Sequence, residues 1–231
     1  MKLQVVNITK KFGDLVALKD CALEISSDGI FGLIGPNGSG KTTLFNIITG
    51  FSRPNSGKII FGEKNIAGRN PVTISRAGLV RTFQLPRIFS NLSVWENLEV
   101  ARPKHVTESR IDEMLRLVNL EDQKFVRGGS LSYGQKKQLD IARALMLDPS
   151  ILLLDEPTAG LEPSMVKSMM EQIKYIHDLK KGVFIIEHNM NVIMNLAEEI
   201  FVLHNGTKIA EGKPSEIQQN AEVIEAYLGT G

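Results

Sequence analysis

Apolar and polar residues alternate over 3–9 and 16–25, the period of strands with one covered face. Residues 30–34, 151–154 and 183–186 run almost continuously apolar instead, the pattern of parallel strands buried on both faces, and they predict one shared sheet. A glycine-rich loop follows the first of these runs and opens a helix over about 41–49. Between 93 and 147 the period lengthens, with Ile111, Leu115 and Val118 at helical spacing, which predicts a helical insert of about 85–147 beside the sheet. Residues 200–203 and 207–210 flank Asn205-Gly206, a pair suited to the left-handed positions of a tight hairpin. A last helix is expected over 222–228, stopped by Gly229, so that the C-terminal hairpin and helices take in about 198–231. No repeat or linker-like stretch divides the chain, and the pattern predicts one α/β domain over 1–231.

Composition changes this picture little and narrows the partners more. The 231 residues are 42% hydrophobic, enough for one large core, and 27 Lys and Arg nearly cancel 26 Asp and Glu. No broad basic field argues for nucleic acid as a partner. The single cysteine, Cys21, forms no internal disulfide and suits a reducing compartment as a small core hydrophobe. The N-terminus alternates as a strand does and does not read as a signal peptide. No run approaches the roughly 18 apolar residues of a spanning helix, so work at a membrane is expected to pass through a separate partner.

The loop Gly35-Pro36-Asn37-Gly38-Ser39-Gly40-Lys41-Thr42 fits a phosphate-binding pattern, and it sits between an expected strand and an expected helix. Its glycines let successive N–H groups face inward, and the helix N-terminus adds partial positive charge, a nest for phosphates. Lys41 is expected to reach the β- and γ-phosphates, Thr42 to place its hydroxyl on Mg²⁺, and Thr43 to support the α-phosphate.

The run 151–154 ends in Asp155-Glu156, at the sheet edge where open α/β folds put their ligands. Asp155 is expected to hold Mg²⁺, and Glu156 to polarise the water that attacks the γ-phosphate. The run 183–186 ends in Glu187-His188, so His188 emerges at the same edge, where it can bond the γ-phosphate and orient that water. His105, His177 and His204 sit in segments without matching chemistry. Ser132 and Gln135 have the spacing of a capping box before a helical run over 136–147, and Gly134 in the first turn predicts a bare N-terminus that approaches an anion. One phosphate nest is already present, so a second serves best on nucleotide held by another subunit.

Taken together, the phosphate loop, Leu131-Ser132-Tyr133-Gly134-Gln135, Asp155-Glu156 and His188 resemble the ABC ATPase family in identity, order and spacing. The resemblance covers nearly the whole chain and implies a P-loop NTPase of ABC type: a mainly parallel core sheet, an antiparallel β lobe and an inserted helical subdomain. It implies that Phe12 stacks on adenine with Val16 beside it, a core position for Phe12 being the alternative. Gln84 matches the family's glutamine that touches Mg²⁺ and the attacking water. Ser132 and Gly134, with Gln135 in the same segment, would meet the γ-phosphate across a head-to-tail dimer, Ala159-Gly160-Leu161-Glu162 lining the interface. Tyr133 and Glu162 depart from the commonest glycine and aspartate. Those departures, with Arg81-Thr82-Phe83-Gln84, Ile186-Glu187-His188-Asn189-Met190 and the tail Val223-Ile224-Glu225-Ala226-Tyr227-Leu228-Gly229, look like the ATPases of branched-chain or hydrophobic amino acid importers.

The implied substrate and cofactor are ATP and Mg²⁺. The implied partners are a second ABC ATPase subunit, integral membrane permease subunits and, indirectly, a substrate-binding protein, with the chain peripheral on the cytoplasmic face of the cell membrane. Residues 85–95 are where permease contact is expected, although Leu85, Ile88, Phe89 and Trp95 would equally serve as core of the helical lobe. An ABC motor for another solute or lipid is the alternative, and a soluble ABC ATPase acting on nucleic acid or ribosomes stands further back, for want of a long coiled-coil insertion or a tandem domain.

Overall fold

The computed structural model describes residues 1–228, the last of them by its backbone alone, so the expected stop at Gly229 lies outside the described residues. In chain order the elements are β1 (Lys2–Phe12), β2 (Leu15–Ser26), β3 (Ile30–Ile34), α1 (Lys41–Ile48), β4 (Ser56–Phe61), β5 (Lys64–Asn65), α2 (Pro71–Arg76) and β6 (Leu79–Arg81). Then follow α3 (Val94–Ala101), α4 (Ser109–Leu117), α5 (Tyr133–Leu145), β7 (Ile151–Asp155), α6 (Pro163–Asp178), β8 (Gly182–Ile186) and α7 (Met190–Leu196). The chain closes with β9 (Glu199–His204), β10 (Thr207–Gly212), α8 (Pro214–Gln219) and α9 (Ala221–Leu228).

A six-stranded sheet runs β10-β9-β3-β8-β7-β6, parallel except for the edge strand β10. The continuous apolar runs have a direct cause. Ile30, Leu152, Val183 and Ile185 face one hydrophobic core, and Phe31, Leu153, Phe184 and Ile186 face another, so both sides of each strand are covered. The first core is filled from α3, α4, α5 and α6, where Ile111, Leu115 and Val118 are all buried as their spacing predicts. The second is filled from α1 and from an antiparallel lobe ordered β2-β1-β4-β5. The helices α3 to α5 leave the sheet after β6 and return at β7, its neighbour.

The hairpin forms as expected, with Asn205 and Gly206 at φ of 47° and 78°, the left-handed pair such a turn requires. Its tip has a second use. The N–H of Gly206 donates to Ser39 O at 3.1 Å, while Gly206 O accepts from Lys19 N at 2.8 Å, so the turn braces the glycine-rich loop against β2. Strand bounds exceed the expected ones by one to three residues, and α5 starts three residues earlier than expected, at Tyr133 just after the capping serine.

Candidate nucleotide site

The loop after β3 wraps the ammonium of Lys41, which donates to Gly35 O at 2.7 Å, to Pro36 O at 2.9 Å and to Ser39 Oγ at 3.4 Å. Two glycines are demanded by close approach as well as by conformation. A Cβ on Gly35 (φ 149°) would lie 2.1 Å from Leu203 O, and one on Gly40 (φ 103°) 2.7 Å from Ala17 O. Burial pulls the Lys41 ammonium below its usual range, and Glu156 and Asp155 pull it back up.

Above this loop lies a cleft of about 350 Å³ lined by Phe12, Leu15, Val16, Ala17, Asn37, Gly38, Ser39, Gly40, Lys41, Thr42, Thr43, Glu156 and His188. Residues from the antiparallel lobe, the loop, β7 and β8 thus converge as expected. Phe12 is 54% exposed with Lys10 Nζ 4.7 Å from its ring centroid, which removes the alternative of a core position. Leu15 and Ala17 also line the cleft; they stand at the start of β2 and carry no polar signal in the sequence.

Glu156 leaves β7 with φ of 50°, a left-handed conformation unusual for glutamate. One carboxylate oxygen lies 3.0 Å from His188 Nε2, and the other accepts from Gln84 Nε2 at 2.9 Å. Gln84 therefore joins the site through Glu156 although it does not line the cleft. Asp155 is set back: its carboxylate is buried and takes a salt bridge from Arg81 at 2.5 Å, and Arg81 in turn donates to Asn46 at 2.7 Å. Glu187, passed over in the sequence, is buried with both oxygens engaged: one accepts from the Thr158 N–H and hydroxyl, the other from His188 N and Asn189 N at 3.0 and 3.2 Å. It ties the end of β8 to the turn after Glu156. Its place at the end of the apolar run 183–186, next to His188, is the only signal the sequence offers.

At α5 the capping box is reciprocal, Ser132 Oγ accepting from Gln135 N at 3.3 Å and Gln135 Oε1 accepting from Ser132 N at 2.9 Å. The expectation of a bare N-terminus there is corrected. Gly134 is buried, and a Cβ on it would lie 2.3 Å from Met165 Cε of α6. Ser132, Gly134 and Gln135 do not line the cleft, and neither do His105, His177 and His204.

The two readings of residues 85–95 divide between side chains. Ile88 and Trp95 pack against the first core, whereas Leu85 is 72% exposed and Phe89 is also exposed. Buried Asn97 holds this segment in shape, accepting from Phe89 N at 2.8 Å and donating to Phe89 O at 3.0 Å and Ser93 O at 2.9 Å. Beside it a second cleft of about 420 Å³ is lined by Phe83, Arg87, Val100, Asp140, Arg143 and Leu147 among others. Burial pushes the Asp140 carboxyl up, opposed by Arg143 and by the backbone amides of Phe83 and Arg87.

A phosphate nest under a cleft, with a glutamate and a histidine in contact at its rim, defines a nucleoside triphosphatase of the phosphate-loop class. Within that class the chain belongs to the ABC transporter family: residues 18–159 match the ABC transporter family model. Residues 207–231 match a second model, branched-chain amino acid ATP-binding cassette transporter. The high-affinity branched-chain amino acid transport ATP-binding protein LivG of Salmonella typhimurium is 36% identical, over 98% of this chain and 97% of its own. BraF of Pseudomonas aeruginosa, a protein of the same description, is also 36% identical over the same shares. Among solved structures, the ADP conformation of MJ1267, an ATP-binding cassette of an ABC transporter, has a TM-score of 0.89 at 31% identity and covers 99% of each chain. A dimeric post-hydrolysis state of the cassette MJ0796, bound to ADP and Pi, has a TM-score of 0.81 at 27% identity, over 92% of this chain and 98% of that one. The chain is an ABC-type ATPase, and among its described residues no helix is long and apolar enough to cross a membrane.

Proposed function

We propose that this chain powers an importer of branched-chain or other hydrophobic amino acids, lying peripherally on the cytoplasmic face of the cell membrane and working as one half of a nucleotide-clamped dimer. The observation that carries the ATPase part is Glu156, fixed between His188 and Gln84 at the rim of the phosphate-loop cleft. The near full-length likeness to LivG and BraF and the match over 207–231 support the solute class.

In this reading the N–H groups of residues 37–43 and the α1 N-terminus hold the phosphates, and Lys41 exchanges the carbonyls of Gly35 and Pro36 for phosphate oxygens. Phe12 and Val16 take the adenine. The hydroxyl of Thr42, the amide oxygen of Gln84 and the carboxylate of Asp155 are hard oxygen donors that would suit Mg²⁺, Asp155 with the one oxygen that Arg81 does not take. Bound there, the ion neutralises charge on the β- and γ-phosphates. Glu156 orients the attacking water and His188 donates toward the γ-phosphate. Ser132, exposed and away from its own cleft, serves the nucleotide of a second subunit with Gln135 beside it, and Gly134 joins them once the flexible Met165 side chain that covers it moves aside. Leu85 and Phe89, beside the second cleft, receive the permease, and a substrate-binding protein would touch only that permease.

Glu156→Gln tests the central assignment. It keeps the side chain's shape and one of the two acceptor oxygens that His188 and Gln84 use while removing the base, so turnover should fall by roughly 10²- to 10⁴-fold with ATP binding retained. Static light scattering on that variant should show dimers at saturating Mg-ATP. Turnover close to that of the parent would overturn the role of Glu156, and monomers alone would overturn a site shared between identical chains.

A further inference from the structure

Lys137 follows Tyr133 by four residues on α5, so the two side chains share a face. Lys137 is only 4% exposed, and its ammonium donates to the backbone carbonyl of Glu156. Burying an ammonium is unfavourable unless acceptors and carboxylates surround it; here Glu187, Glu156, Asp155 and Asp140 all act on it. The same ammonium lies 5.5 Å from the ring centroid of Tyr133. The Tyr133 hydroxyl donates to Gln84 O at 3.4 Å, and the Gln84 side chain donates to the Glu156 carboxylate at 2.9 Å. The contacts close a ring: Lys137, Glu156, Gln84, Tyr133 and back to Lys137. The Tyr133 ring also covers Gly160, where a Cβ would meet it at 3.2 Å.

Neither Lys137 nor Tyr133 lines the nucleotide cleft. Both touch the main chain of the two residues whose side chains meet at its rim. Glu156 needs such support, because a left-handed glutamate persists only where surrounding contacts over-determine it. Its N–H donates to Ile186 O at 2.9 Å on one side, and its carbonyl accepts from Lys137 on the other. We infer that Lys137 and Tyr133 are positioning residues for hydrolysis, through which α5 fixes the backbone of Glu156 and Gln84 and so the aim of the Glu156 carboxylate. Tyr133, which stands where this family most often has glycine, thereby gains a role. The inference rests on Glu156 being the residue that orients water.

Steady-state ATP hydrolysis by the full chain, with fluorescent-ATP binding and thermal melting alongside, tests it. Lys137→Met should lower kcat roughly ten- to hundredfold, the range a misplaced reacting group costs, with KM and nucleotide affinity within about twofold of the parent. Lys137→Arg, which still reaches the carbonyl with a cation, should recover most of the loss. Tyr133→Phe should lower kcat roughly threefold at unchanged KM, having lost the hydroxyl on Gln84 alone. A Lys137→Met chain with the parent's kcat, or a kcat loss matched by a rise in KM, or a Lys137→Arg chain as slow as Lys137→Met, would overturn the inference. Should Lys137→Met give no cooperative melt, Tyr133→Phe decides, with parental turnover overturning the inference and slower turnover at constant KM supporting it. Glu156→Gln in the same assay separates the two levels. If it hydrolyses normally, the reading of Glu156 fails; if it is inactive while Lys137→Met and Tyr133→Phe are normal, only the positioning roles fail.

Discussion

The N-termini of α1 and α5 both lie in glycine-bearing motifs, and they are finished in different ways. At α1 the cap is Gly40 in the left-handed region with no side-chain bond, and the loop carbonyls close on Lys41, a cation whose bonds are all to its own loop. At α5 the cap is Ser132 in a reciprocal box, Gly134 is covered by Met165, and the buried cation Lys137 reaches away from the cap to Glu156. The first end is open to a ligand and lacks side-chain acceptors for its donors. The second is satisfied within the chain and stands outside the cleft. The contrast teaches that one terminus leaves its donors free for a ligand, while the other, closed by its own chain, offers at most a surface to something brought to it.

Removing Lys41 should break the comparison most strongly. A charge-assisted bond to phosphate is worth about 1.5–3 kcal/mol, so Lys41→Met should weaken ATP binding by roughly ten- to a hundredfold in equilibrium titration with a fluorescent analogue. Ser132→Ala should behave differently. It removes one half of the capping box, costing about 1 kcal/mol in urea unfolding, while the affinity of a single chain for nucleotide stays within about twofold. In the Glu156→Gln background, ATP-driven dimerisation should weaken by roughly tenfold, the loss of one charged hydrogen bond across the interface. If Ser132→Ala weakened nucleotide binding by monomers as much as Lys41→Met does, the two termini would serve one site within one chain.

Much of the first terminus could be read from the sequence, because its chemistry is local: strand, glycines, lysine and threonine all fall between Ile30 and Thr42. The acids after β7 and the histidine after β8 were legible for a related reason, since continuous apolar runs in an α/β chain deliver their last residues to one sheet edge. The partners of those residues were not. Arg81 meets Asp155 across 74 positions and Lys137 meets the Glu156 carbonyl across 19, and no periodicity announces either pairing. β6, only three residues long, was too short to show a pattern, yet it carries Arg81. Gly134 illustrates the opposite failure. A glycine in a first turn suggests an open terminus, but its missing Cβ makes room for Met165, thirty-one residues later and on another helix.

The smallest expected effect compares the two lysines directly. Burial holds both Lys41 and Lys137 below their ordinary value of 10.5, with nearby carboxylates in opposition. The unfolded chain therefore keeps a proton that the folded chain has shed between the lowered value and 10.5. Where the unfolded state binds more protons, stability rises with pH, so each lysine makes the protein gain stability as pH climbs through that window and carries its full desolvation penalty below it. The gain is at most about 1.4 kcal/mol per pH unit for each proton. Cys21 opposes it, since burial pushes its thiol up to about 11, but that contribution is common to the parent and both lysine variants and cancels in their differences. Urea unfolding at several pH values from 8 to 10.5 should thus show a flatter rise for Lys41→Met and for Lys137→Met than for the parent. Equal flattening would mean that a single chain desolvates both cations alike, the one wrapped in its loop and the one behind Glu156. Flattening for Lys41→Met alone would mean that solvent reaches Lys137 in the free chain and that the α5 side is loose until something closes over it.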